Sequence, residues 1–175
     1  MLQRLTLGAA LAVAASLAAC SDGDGSRITA KTAQTAVDAN RVGGPHSNID
    51  HDSQLNWGPA PPIFPAGAQF TVVQGDPSVP GAIFTVRLRF PSGYVLPPHW
   101  HPTDEHVTVL HGTFLVAMGE NFSRSGLTEL RQDAFITAPA HMAHFAMTRG
   151  ETEVQVHAIG PFQLTYVHPA DDPTK

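Results

Sequence analysis

An all-β domain on a short N-terminal tether is the fold class this sequence predicts, and three observations carry it. Fifteen prolines and fifteen glycines among 175 residues divide the chain into short runs, which suits turns between strands rather than long helices. From Gln69 onward, runs rich in Val, Ile, Thr and Phe recur with a turn signal about every ten residues, the spacing of a sandwich or barrel. Several of these runs alternate with period two. Val154 and Val156 share one face while Glu153, Gln155 and His157 share the other, as on a half-buried strand. No internal repeat and no helical periodicity of useful length follow residue 57.

The chain begins with a short positive start, Met1 to Arg4, and residues 5–19 are then apolar or small without a charge. Such a stretch is too short for a bilayer core, which needs about 20 helical residues, but fits the hydrophobic region of a secretory signal. It ends Leu17-Ala18-Ala19-Cys20, which resembles a bacterial lipobox. The resemblance implies cleavage before Cys20 and lipidation of that residue, with several acyl chains giving a stable hold on a membrane. The alternative is an ordinary signal cleaved elsewhere and an incidental cysteine. Cys20 is the only cysteine, so no disulfide can form within the chain. Ser21 follows it rather than Asp, which for a Gram-negative source implies the outer membrane, facing the periplasm.

The expected organisation is a signal peptide over 1–19, a flexible tether over 20–56, a folded domain over 57–170 and a tail over 171–175. The tether is polar and small, with too few large apolar side chains to offset its ordering entropy, and 28–39 is its one weak helical candidate. Residues 57–65 are proline-rich and read as an extended arm anchored by Trp57, Ile63 and Phe64. Strands are predicted at 69–74, 82–90, 106–110, 113–118, 127–131, 134–137, 144–148, 153–159 and 162–168. The net charge is −5, one unit more negative once Arg4 is removed, and no basic cluster is present, which argues against nucleic acid as a partner.

Ten histidines are many for this length, and their placement is informative. His99 and His101 sit at i and i+2, so an extended backbone aims both imidazoles at one point. Glu105 follows past Pro102, where a bend can bring its carboxylate to the same place, and His144 would approach from another strand. Three imidazoles and a carboxylate form a borderline N/O donor set suited to a divalent Fe, Mn, Ni, Zn or Cu ion. His46, His51, His106, His111 and His168 are expected in solvent. Tyr94, Tyr166, Gln155 and His157 could line a cavity or face outward.

The spacing of these residues resembles the cupin superfamily. Gly93, five residues, His99-Trp100-His101, three residues, Glu105, six residues and Gly112 reproduce the first cupin motif position for position. The run Pro139 to His144 resembles the second motif, with three departures: Asp133 and His141 stand where glycines are usual, and Thr148 replaces a common asparagine. His tolerates a left-handed turn, so His141 either makes the turn or reaches the site, and the turn is the simpler role. The resemblance covers about 65–168. It implies a jelly-roll, double-stranded β-helix barrel of six to eight antiparallel strands, with the metal held in its mouth by His99, His101, Glu105 and His144. It also leaves a homodimer open, since many cupins pair.

Four protein ligands on an octahedral metal leave two positions open, similar to the facial arrangement of non-haem iron oxygenases with one extra His. A structural ion would prefer a closed, often thiolate-rich tetrahedron. The expected function is therefore a metal-binding cupin of the cell envelope acting on a small molecule. One form is a dioxygenase of a diketone, enol or phenol, with Glu105 as a proton acceptor if it leaves the metal; the other is a non-catalytic metal- or ligand-binding or sensing module. The discriminating feature is whether a further polar group, such as Gln155, His157 or Tyr94, faces the metal.

Overall fold

The computed structural model describes residues 55–175. The expected signal, Cys20, the helical candidate at 28–39, His46 and His51 lie outside the described residues. No helix among the described residues is long and apolar enough to cross a membrane.

Nine strands form within this span: β1 (Gly58–Pro59), β2 (Gln69–Gln74), β3 (Ile83–Phe90), β4 (Val95–Trp100), β5 (Glu105–Met118), β6 (Thr128–Arg131), β7 (Phe135–Ala138), β8 (His144–Ile159) and β9 (Thr165–Tyr166). Two 3-10 turns, Arg124–Gly126 and Pro169–Asp171, are the only helical elements among the described residues. The strands pair antiparallel in the order β1-β2-β3-β8-β4-β9, and β5 lies along β8 while also carrying β6 and β7.

The long β5–β8 ribbon explains how the sheet closes. It runs from Glu105 opposite Ala158 to Met118 opposite His144, and a straight strand of that length would separate its ends by about 40 Å. The ribbon instead bends at its middle. The register of β5 shifts on both sides of His111, and Gly112 and Gly150 adopt φ of +78° and +79°. At Gly112 a β-carbon would stand 2.2 Å from the Glu151 carbonyl oxygen, so only glycine allows the two strands to approach there. Thr152 holds the corner, accepting from the Thr113 N–H at 3.2 Å and donating towards the Gly150 and Thr113 carbonyls.

These glycines account for the largest difference from expectation. The strands predicted at 106–110 and 113–118 are one element, as are 144–148 and 153–159. Glycine bends the ribbon at a bulge without ending it. Strand β4 was not among the predicted strands because Pro97 and Pro98 argue against one. It survives because its register with β8 breaks between Leu96 and His99, where the missing donors are not needed. The strand expected over 162–168 contracts to β9, since Gly160-Pro161 ends β8 and residues 161–164 run as coil.

Alternating residues of the ribbon and β3 fill the interior. Phe84, Val86, Leu88 and Phe90 meet Val107, Val109, Val154 and Val156 in one cluster. The opposite face of β3 and β8 is charged, with the Arg89 Nε donating to Glu153 at 2.8 Å and the Arg87 Nε donating to Gln155 at 3.2 Å. The proline-rich arm starts as β1 on the β2 edge. Phe64 is buried and Ile63 partly so, while Trp57 lies under the Arg89 guanidinium at 3.9 Å from the ring centre.

Candidate metal centre

Folding the ribbon over brings its two ends together. Glu105 opens β5 and His144 opens β8, far apart along the ladder, yet Glu105 Oε2 lies 3.5 Å from His144 Nε2. It is also 3.5 Å from His101 Nε2. His99 stands opposite His144 across the β4–β8 pair, and ligand nitrogens of His99, His101 and His144 all lie within 4.8 Å of one another. The three imidazoles and the carboxylate are all buried.

Each imidazole is oriented by the backbone. The Nδ1 atoms donate to the carbonyls of Pro97 at 2.7 Å for His99, Gln163 at 2.7 Å for His101 and Met142 at 3.1 Å for His144. This places the proton on Nδ1 and leaves the Nε2 lone pair free for the shared centre, the outer hydrogen bond typical of metal-binding histidines. His101 Nε2 is buried without a hydrogen-bond partner, and the 3.5 Å approach of Glu105 is not a hydrogen bond. An unpaired buried polar atom costs about 1–3 kcal/mol, and a metal ion at the shared centre would satisfy it. The residues present therefore fit a metal, and the cluster could hold one.

The electrostatics suit that purpose. Burial, reinforced by His144 and His101, pushes the His99 imidazole down to about 3. Burial also lowers His101, against the opposing pull of Glu105. Both rings are thus neutral at pH 7 and able to donate a lone pair. Burial alone would raise Glu105, but the His101 charge and the His144 contact outweigh it and hold the carboxyl down at about 2. Burial would likewise lower His144, but its hydrogen bond and charge pairing with Glu105 raise it.

The cluster faces a cavity of about 30 Å³ whose other lining is entirely apolar. None of Tyr94, His141, Gln155 and His157 lines it. Tyr94 is buried beside Phe90 with its hydroxyl donating to the Pro65 carbonyl. Gln155 accepts from Arg87 on the outer face, and His157 pairs there with the Thr85 hydroxyl at 3.1 Å. His141 makes the turn at φ +60°, with its N–H donating to the His101 carbonyl at 2.8 Å and its ring against Trp100. Of the histidines expected in solvent, His111 and His168 are exposed, whereas His106 is half-buried against Thr137 and Phe135.

The sequence did not mark Phe64 and Phe162 as cavity residues, yet both line it. Phe64 read only as an anchor of the arm, and Phe162 was placed in a strand. Gly160-Pro161 was the available signal that the chain breaks there.

A curled antiparallel sheet with a histidine–carboxylate cluster at its mouth defines a cupin. Residues 47–163 match the family model of the ChrR cupin-like domain, and the chain belongs to that family. Solved structures agree on the fold. The polyketide cyclase RemF from Streptomyces resistomycificus is 15% identical, with a TM-score of 0.56 over 73% of this chain and 90% of that one. A candidate acetylacetone dioxygenase from Methylibium petroleiphilum is 19% identical, with a TM-score of 0.54 over 73% and 88%. An RmlC-like cupin from Shewanella frigidimarina is 14% identical, with a TM-score of 0.51 over 65% and 91%. No curated protein sequence matches the chain.

Proposed function

We propose that His99, His101, Glu105 and His144 hold one divalent transition-metal ion of the Fe, Mn, Ni, Zn or Cu set, and that the chain acts there on a small oxygen-bearing molecule. The observation that carries this is the orientation of three buried imidazoles, each fixed through Nδ1 with Nε2 turned to one point beside a carboxylate. The donor set is borderline in hardness and free of thiolate, as such ions prefer. A bound ion would supply Lewis acidity and open coordination positions for oxygen donors.

One form of this reading is a dioxygenase of a small diketone, enol or phenol. Glu105 is the only carboxylate on the cavity wall among the described residues, so its carboxylate, once released from the metal, is the group available to take a proton from an enolisable carbon or a hydroxyl. The apolar wall excludes water and holds the ligand's hydrocarbon part by burial. The likeness in fold to the Methylibium protein is compatible with this chemistry. The same wall also favours a second function, a non-catalytic binding or sensing module, because no further polar group faces the centre to steer a reaction.

Elemental analysis of the purified domain, beside its Glu105→Gln and His144→Ala variants, tests the centre. Near-stoichiometric metal that falls in both variants supports it, and equal metal in all three proteins refutes the ligand assignment. Oxygen uptake by the loaded protein with diketones and phenols then separates enzyme from binding module.

The setting we propose is the cell envelope, with a lipid on Cys20 anchoring the chain to the outer membrane on its periplasmic side. Only the run Leu17 to Cys20 and its apolar lead-in support this. Acyl labelling should disappear in Cys20→Ser, and labelling that persists would remove the anchor.

A further inference from the structure

We infer that Phe162 is the gate of the metal chamber and Phe64 the fixed wall it closes against, so that the two rings set the size of ligand admitted. The identity of the ligand rests on the metal centre proposed above; the gate itself does not.

Among the described residues lining the chamber, Ile136 and Phe162 are the two partly exposed ones, and the others are buried. These two side chains are therefore the thinnest cover between the chamber and solvent. Ile136 belongs to β7, where it is paired opposite Val107. Phe162 lies in the coil between β8 and β9, and its ring stacks on His101 with 5.4 Å between centres and 15° between planes. It thus covers the imidazole whose Nε2 is unpartnered. Its N–H donates to the Pro77 carbonyl at 2.7 Å, so the backbone is held, and its ring also rests on Phe84 at 5.3 Å between centres; opening would be a turn about χ1 off these ring contacts.

The ring of Phe64 stands 6.2 Å from that of Phe162 and is held from both sides. The Tyr166 hydroxyl donates to the Ile63 carbonyl, the Tyr94 hydroxyl donates to the Pro65 carbonyl, and Phe64's own N–H bonds Pro61. Two tyrosines thereby strap the arm across the barrel with Phe64 between them. Both rings lie outside the strands, but the Phe64 backbone is bonded on both sides and that of Phe162 by its own N–H alone, so Phe162 is the one placed to move.

Size selection follows from the volume. A cavity of about 30 Å³ holds one or two waters, so a diketone or phenol is admitted only as Phe162 swings aside. Beyond its oxygen-bearing head the ligand must be compact hydrocarbon, because the remaining wall offers no hydrogen bond.

Two measurements test the gate. In metal-free protein, diethyl pyrocarbonate labelling followed by peptide mass spectrometry gives the reaction rate at His101, with exposed His111 and His157 as internal standards. The rate at His101 should rise about tenfold in Phe162→Ala, rise less in the better-packed Phe162→Leu, and stay unchanged in Ile136→Ala. An unchanged rate in both Phe162 variants, or opening through Ile136→Ala instead, overturns the gate. In metal-loaded protein, acetohydroxamate should bind about tenfold or more tightly than benzohydroxamate. Phe64→Ala and Phe162→Ala should each narrow that ratio, and a ratio unchanged in both refutes size selection by these rings. If the native chain retains no metal, the metal centre fails while the labelling rates still decide the gate.

Discussion

At the bend of the ribbon Thr148 and Thr152 are 2% and 0% exposed, as deeply buried as His99 and His101 at the mouth, which are 3% and 4% exposed. The bonding of the two groups is opposite. Thr148 Oγ1 accepts from the Tyr94 N–H and donates to the Pro91 carbonyl, and Thr152 is bonded across the Gly112 corner. At the mouth every imidazole spends one nitrogen on the backbone and keeps the other for the shared centre, with His101 Nε2 left unpaired. Satisfied polar groups rigidify a structure. Unsatisfied ones are tolerated where a ligand completes them. The same fold-over creates both regions, one to hold its shape and the other to hold something else.

The sharpest way to break this comparison is to substitute one residue at each end. His101→Ala should remove most of the bound metal, from near one ion per chain to below about a tenth. It should change the unfolding free energy of the metal-free protein by less than about 2 kcal/mol, since the lost Nδ1 bond to Gln163 is offset by removal of the unsatisfied Nε2. Phe90→Ala, opposite Thr152 at the bend and beneath the stacked rings of Tyr94 and Phe114, should do the reverse although Phe90 also touches the cavity wall. It should cost about 3–5 kcal/mol in chemical denaturation and leave the metal stoichiometry intact. If both variants lost metal and stability together, the two ends would be one cooperative unit and the division of roles would be wrong.

Acid should also act on the mouth before the bend. The folded-state pKa of His99 is depressed to about 3 by burial, so the folded protein binds fewer protons than the unfolded chain between that value and the ordinary 6.5. Its stabilising contribution is present above 6.5 and lost as pH falls towards 3. His144, raised by Glu105, works the other way, contributing at low pH and losing its contribution as pH rises through its folded value. Denaturation of the metal-free protein across this range should show stability falling with acid, and His99→Ala should flatten that slope. An equal slope in the variant would assign the acid sensitivity to other groups.

Much of this was legible because the His99–His101 pair and the strand faces are local patterns. His99 and His101 share a side by simple alternation, and Val154 and Val156 point inward for the same reason. Glu105 and His144 were harder, because their meeting depends on a ribbon folding at Gly112 and Gly150, and those glycines read as strand ends. The sequence left the roles of Gln155 and His157 open, because alternation fixes which residues share a face but not which face is interior. Phe64 and Phe162 escaped notice as cavity residues because arm and coil carry no periodicity. What brings them to the chamber is the pair of tyrosine hydroxyl bonds and the stack on His101, all of them long-range.

The smallest expected effect lies at the departures from the cupin pattern. Asp133 and His141 replace the usual glycines, and both adopt the glycine-like conformation, at φ +68° and +60°. A left-handed backbone costs a side-chain-bearing residue about 1 kcal/mol, less for Asp and His than for branched residues. Glycine would relieve that strain but adds freedom to the unfolded chain, so the two effects nearly cancel. His141→Gly should therefore shift stability by no more than about 1 kcal/mol, read by denaturation, and leave metal content unchanged because the imidazole lies against Trp100 rather than in the cavity. Loss of metal in His141→Gly would mean that the turn, or the ring itself, positions His101 through the His141 N–H bond to its carbonyl. The mouth would then depend on its rim as closely as the bend depends on Thr152.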